Sequence, residues 1–179
     1  MDIAASINRT LKSFLPEYMF CAATVIHLSE AGDKALVWSG GLPDAYLVRP
    51  GDGVVTIIKS QNMPLGILNA EEFNNRAQVY DLVLGDRLLL LTDGILEGTA
   101  SDSEEMYGEQ RLIAKIGTGE SEFFEGLLKD YQEYLGETDQ QDDISLVEIT
   151  AAPTRSRRID SLSPSDSLPW LVEFNLDAE

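Results

Sequence analysis

The sequence predicts an α+β fold, a core of short antiparallel strands flanked by a few amphipathic helices. Three observations lead there. Short runs rich in Val, Ile, Leu and Tyr are separated by tight turns such as "EAGD" (30–33) and "PGDG" (50–53). Connections this short join antiparallel neighbours and leave no room for βαβ crossovers. Elsewhere the apolar spacing switches to three and four residues, the period of a helix with one buried face. At 179 residues and 44% hydrophobic content, the chain suits one domain with a real core.

The elements follow in order. Ile3, Ile7, Leu11 and Leu15 fall at i, i+4 spacing and predict a helix that Pro16 stops. Strands are expected at about 19–28, 34–39, 45–49 and 54–58, as a meander. "QNMPLGILNAEEF" (61–73) reads as an irregular loop with a Pro-Leu-Gly turn, and strands at 76–82 and 87–92 are joined by "LGD". A helix is expected over 109–116. Another follows in "SEFFEGLLKDYQEYL", where Phe123, Phe124, Leu127, Leu128, Tyr131 and Leu135 share a face. "ISLVEIT" (144–150) closes the body as an alternating strand. Beyond it the composition turns to Ser, Pro and Arg. The expected layout is therefore a domain at 1–150, a linker at 151–167, and an apolar segment at 168–179. That last segment, "LPWLVEFNLDAE", is too short to fold alone and reads as the start of a following module or as a docking strand.

Charge and cysteine content narrow the function classes. The formal net charge is −18, and 101–150 holds fourteen acids against three bases. Such a balance disfavours nucleic acid and anionic membrane as partners, and most of these acids read as a solvated face. Cys21 is the only cysteine, so no internal disulfide or cysteine-based metal cluster can form. No apolar run approaches the roughly 18–20 residues that span a bilayer. The chain is expected to be soluble and cytoplasmic, and a homodimer is compatible with it.

Two acidic positions carry the candidate chemistry. Asp93 stands at the end of the apolar run "LLLLTDGILE" (88–97), where a carboxylate must be hydrogen-bonded, paired or metal-bound. Gly94 directly after it allows a tight turn or a close backbone approach. Capping of the next turn and ligation of a cation are equally good accounts of Asp93. Asp142 and Asp143 adjoin at the start of the last strand, where they repel each other unless solvated or bridged by a hard cation such as Mg²⁺ or Mn²⁺. His27, in mid-strand, reads as structural, and no Cys or Ser stands out as a nucleophile.

"LLLLTDGILE" followed by "DDISLVEI" (142–149) resembles the signature of bacterial PPM-type (type 2C) serine/threonine phosphatases of the SpoIIE/RsbU branch. Other stretches agree in order: "VWSGGLPDAYLVR" (37–49), "MPLGIL" (63–68), "LVLGDRLLLLTDG" (82–94) and "YGEQRL" (107–112). The resemblance implies an α/β sandwich of two antiparallel sheets flanked by helices. It also implies that Asp93 and Asp142, with Asp143 as a neighbour, bind two Mn²⁺ or Mg²⁺ ions, and Gly94 is grouped with that site. The ions would activate a water for in-line attack on a phosphoserine or phosphothreonine. Relatives of this branch occur fused to response-regulator receiver domains. The implied partner is a phosphorylated anti-sigma-factor antagonist.

The resemblance departs at two places. The branch carries a "GD-V-GHG" strand-turn ahead of the helix that here begins the chain, and its aspartate bridges both ions. Gly-Asp occurs at 32–33, 51–52 and 85–86, each reading as an inter-strand turn. "SGGLPD" (39–44) also stands where the branch has an Asn and a His. The expectation is an N-terminally truncated domain without the bridging ligand. The alternative function is a non-catalytic phosphatase-like adaptor that regulates a sigma factor.

Overall fold

The computed structural model describes residues 2–100, 105–116, 123–138, 140 and 142–151. Apart from Ala151, the linker and the apolar segment expected after Thr150 lie outside the described residues. The elements are α1 (Asp2–Phe14), β1 (Ala23–Leu28), β2 (Lys34–Gly40), β3 (Ala45–Arg49), β4 (Gly53–Ile58), β5 (Gln78–Asp81) and β6 (Arg87–Leu91). They continue with α2 (Gly94–Glu97), α3 (Gly108–Ile116), α4 (Phe123–Leu135) and β7 (Leu146–Thr150). The strands build two antiparallel sheets, ordered β1-β2-β5 and β4-β3-β6-β7. This is the α+β sandwich with flanking helices that the sequence predicts.

The strand order is not a simple meander. β2 and β3 follow each other in sequence yet belong to different sheets, and so do β5 and β6. The first change of sheet runs through Gly40 and Gly41. A Cβ on Gly40 would sit 2.5 Å from the Met63 carbonyl oxygen, and Gly41 has φ +82°. The "SGGLPD" turn therefore packs on the "MPLG" loop instead of folding back as a hairpin. Turn chemistry in the sequence announces a reversal but does not say which sheet receives the next strand.

Side chains of β3 and β6 alternate between two cores, which explains an all-leucine strand. Leu88 and Leu90 point between the sheets, against Ala35, Val37, Ala45 and Leu47. Leu89 and Leu91 point the other way, against Leu112, Ile116, Phe123, Leu127, Tyr131 and Leu135 of α3 and α4. Each fully buried leucine contributes about 1.5–3 kcal/mol relative to an exposed one. β6 is thus a central strand fixed on both faces, a rigid support for whatever follows it.

α1 covers the outer face of the other sheet, over Trp38 and Leu65, but not with the stripe expected from the sequence. Ile3 and Ile7 are exposed, at 59% and 37%, while Ala4 and Asn8 are buried. Asn8 decides the face. Its Nδ2 donates to the Leu68 carbonyl at 3.0 Å and its Oδ1 accepts from the Gly66 N–H at 2.9 Å. Both groups belong to the loop the helix covers, and a buried amide needs both partners. No helix among the described residues is long and apolar enough to cross a membrane.

Candidate functional site

β6 and β7 run antiparallel, with Leu91 opposite Leu146, so the exit of β6 meets the start of β7. Sequence positions fifty residues apart, Asp93 and Asp143, are brought to one end of the sheet by this register alone. Past the ladder the two chains stay joined through Thr92. Its N–H donates to the Ser145 carbonyl at 3.0 Å, and its hydroxyl accepts from the Ser145 N–H at 2.9 Å. The same hydroxyl donates to the Asp143 carbonyl at 3.1 Å. Thr92 is a positioning residue that the reading of carboxylates alone passes over, although it stands in the "TDG" stretch.

Gly94 tightens the same junction. A Cβ there would lie 2.5 Å from the Asp143 carbonyl oxygen and 3.2 Å from that of Asp142. The requirement is for space, since backbone oxygens cannot rotate away as a side chain can. From the other side, the Tyr131 hydroxyl of α4 donates to the Gly94 carbonyl at 3.0 Å in a buried contact. Burial pushes the Tyr131 pKa up, so this donor keeps its proton through the physiological range. Gly98 makes room for it, as a Cβ at that position would fall 2.1 Å from the Tyr131 oxygen. Gly94→Ala should therefore cost about 1–3 kcal/mol, the usual range for overpacking a filled site. Urea unfolding checks this, and an unchanged midpoint would contradict the close approach.

The capping account of Asp93 is not realised. Its carbonyl accepts from the N–H groups of Leu96 and Glu97, at 2.8 and 2.9 Å, but its side chain makes no capping hydrogen bond. Its backbone is already helical, φ −67° and ψ −23°, where a capping residue is normally extended. The carboxylate is exposed, and among the described residues it has no hydrogen-bond or ion-pair partner. Asp142 and Asp143 are also exposed, and Asp142 Oδ1 accepts from the Asp143 N–H at 2.8 Å. The structure thus gathers Asp93, Gly94, Asp142 and Asp143 at one place. His27 is exposed on the edge strand β1.

These residues fit one side of a site for a hard divalent cation. The donors are carboxylate oxygens, the Asp93 carboxylate is not engaged elsewhere, and the Gly94 contact holds the two backbones together. They do not make a full cage. Among the described residues no three Asp, Glu, His or Cys side chains converge as metal ligands.

The order of the acidic and glycine stretches, the two-sheet sandwich and the β6–β7 junction all invite comparison with known proteins. The family model of stage II sporulation protein E (SpoIIE) matches residues 1–152. The chain belongs to the SpoIIE family. Solved structures agree with the SpoIIE assignment in fold. The SiaA-PP2C domain of Pseudomonas aeruginosa is 19% identical with a TM-score of 0.67, over 82% of this chain and 57% of that one. The phosphatase domain of SpoIIE from Bacillus subtilis, presoaked with Mn, is 16% identical with a TM-score of 0.56, over 84% and 66%. The RsbU and RsbW domains of a Mycobacterium tuberculosis protein give 19% and 0.61, over 82% and 40%. Identities this low show the fold alone, the two-sheet sandwich with flanking helices. The chain spans a little over half the length of the SiaA domain. No curated protein matches the sequence.

Proposed function

We propose that this SpoIIE-family domain is part of a metal-dependent protein phosphatase, with Asp93 and Asp142 as cation ligands and Asp143 beside them. The observation that carries the reading is the β6–β7 junction. It spends a glycine, a threonine and a buried tyrosine hydroxyl on holding exposed carboxylates together at one end of a rigid sheet. A hard cation bound there would lower the pKa of a coordinated water and neutralise phosphate charge. The second role matters for a chain of net charge −18, which otherwise repels a phosphorylated partner. The remaining coordination positions of such an ion would be open to water. The proposed substrate is a phosphorylated anti-sigma-factor antagonist, reached through the SpoIIE/RsbU resemblance, in the cytoplasm. The body at 1–150, the linker at 151–167 and, at 168–179, the start of a following module or a docking strand remain part of this proposal.

One observation favours a second reading. The lack of a three-ligand cluster among the described residues suits a non-catalytic adaptor that keeps the fold and binds a regulator. Calorimetric titration of the 179-residue chain with Mn²⁺ separates the two. Saturable binding that is reversed by chelator and lost in Asp142→Asn supports the phosphatase reading. No saturable heat supports the adaptor.

A further inference from the structure

The acidic corner shares its end of the sandwich with a surface of opposite character. Ala45 faces Ile58, Tyr46 faces Leu89 and Leu91 faces Leu146. The exits of β4 and β6 and the starts of β3 and β7 therefore lie along one end of their sheet. In the other sheet Ala23 faces Gly40 and Val37 faces Gln78. Only residues 41–44 separate β2 from β3, so the starts of β1 and β5 belong to that same end. Two hydrogen bonds join the sheets there. Gln78 Nε2 donates to the Lys59 carbonyl at 3.4 Å, and Asn62 Nδ2 donates to the Ser39 carbonyl at 2.9 Å.

Residues 59–70 and 73–80 hold Lys59 and Arg76 and no acid, in a chain with 31 Asp and Glu. Lys59 is held by the Asp44 carboxylate at 2.5 Å. Arg76 is exposed, and among the described residues its guanidinium has no hydrogen-bond or ion-pair partner. The side-chain amide of Gln61, also exposed, has none either among the described residues. Beside them opens a cleft of about 160 Å³, rimmed by Gln61, Asn62 and Asn74 and walled by Met63, Leu68 and Phe73. That is room for one apolar side chain or ring. Asn74 ties Arg76 to the rim: its Oδ1 accepts from the Arg76 N–H at 3.2 Å, and its Nδ2 donates to Asn62 Oδ1 at 3.1 Å. Strands lie about 4.8 Å apart and β4 is two strands from β6, which sets this surface about 10–15 Å from the Asp93 corner. An extended peptide advances about 3.3 Å per residue, so three to five residues span the gap.

We propose that this surface docks an acidic segment of the phosphorylated protein substrate. Arg76 pairs with an Asp or Glu three to five residues from the phosphorylated one, and the cleft takes an apolar side chain of the same segment. Arg76 is then a specificity-determining residue, a role that rests on the phosphatase reading of Asp93 and Asp142. The guanidinium fork suits a carboxylate, and its pairing at an exposed site should change affinity about five-fold. The probes are two labelled phosphoserine peptides, with either Glu or Gln at the third to fifth positions on both sides of the phosphoserine. Fluorescence anisotropy without added Mn²⁺, where turnover is off, reads binding to the full chain; phosphate release with Mn²⁺ reads turnover. The Glu peptide should bind about five-fold tighter than the Gln peptide. Arg76→Gln should abolish that preference and raise KM for the Glu peptide with kcat unchanged, while Arg76→Lys should keep part of it. Lys34→Gln makes the same charge change at the opposite end of the sandwich and should bind both peptides as the parent does. Equal binding of the two peptides, a preference that survives Arg76→Gln, or an equal loss in Lys34→Gln would each overturn the docking surface. Asp93-dependent release without a Glu preference overturns the docking surface alone. Arg76-dependent binding without any release overturns the phosphatase reading alone and leaves the surface standing.

Discussion

Asp86→Ala should destabilise the fold by about 3–5 kcal/mol, the range for removing one partner of a buried ion pair. Asp86 is 1% exposed, directly after the glycine of the "LGD" turn. Its two oxygens accept from Arg49 Nε and Nη2, each at 2.9 Å, and Oδ2 also accepts from the Val83 N–H at 2.9 Å. The pair ties the end of β3 to the approach of β6, the two strands that carry both cores. Alanine would leave a guanidinium and a backbone N–H without an acceptor. Arg49 is 35% exposed and can turn toward water, which places the loss in the lower half of the range. Total stabilities of domains are only about 5–15 kcal/mol, so urea unfolding should resolve the change easily.

The same pair gives a pH dependence of known sign. The Arg49 hydrogen bonds hold the Asp86 carboxyl below the usual carboxylate range, against the opposing effect of burial and with help from the Val83 N–H. A carboxyl lowered in the folded state adds stability above its unfolded pKa, about 3.9, and that stability drains away as pH falls below it. The urea midpoint of the wild type should drop as pH falls below about 4. Asp86→Ala should drop less steeply. Parallel curves would assign the acid sensitivity to other carboxylates.

Much of this architecture is legible in the sequence because it is written in local chemistry. The turns at 30–33 and 50–53, the leucine run of β6 and the apolar face of α4 all depend on neighbours a few positions away. What escapes is non-local. The face of α1 is set by Asn8 bonding to Gly66 and Leu68, partners some sixty residues distant, which overrides an apolar stripe. The assignment of β2 and β3 to different sheets depends on Gly40 meeting Met63. At the site, Asp93 and Asp142 stand out as acids beside apolar strands, but Thr92 and Tyr131 do not. A threonine in a strand and a tyrosine on a helix face each have an ordinary packing role, and only the register of β6 with β7 gives them another.

Asp93→Asn should reduce manganese-dependent hydrolysis of p-nitrophenyl phosphate by more than about 100-fold, measured in the longest polypeptide that contains this sequence. Changes to groups that merely orient metal ligands cost about 10–100-fold, and a direct ligand should cost more. Asparagine keeps the shape of the side chain while removing the charge that a hard cation requires. The fold should not notice. The Asp93 carboxylate is exposed and makes no capping hydrogen bond, and the backbone carbonyl that starts α2 is retained. Removing one negative charge from the end shared with Asp142 and Asp143 relieves repulsion, so the urea midpoint should hold or rise slightly. This split between activity and stability distinguishes a ligand from a structural acid. Asp86→Ala, by contrast, should lower the midpoint first and the rate only through loss of folded protein. If Asp93→Asn hydrolyses as fast as the parent, the carboxylate is not a ligand. The β6–β7 junction would then be a structural corner serving the adaptor role.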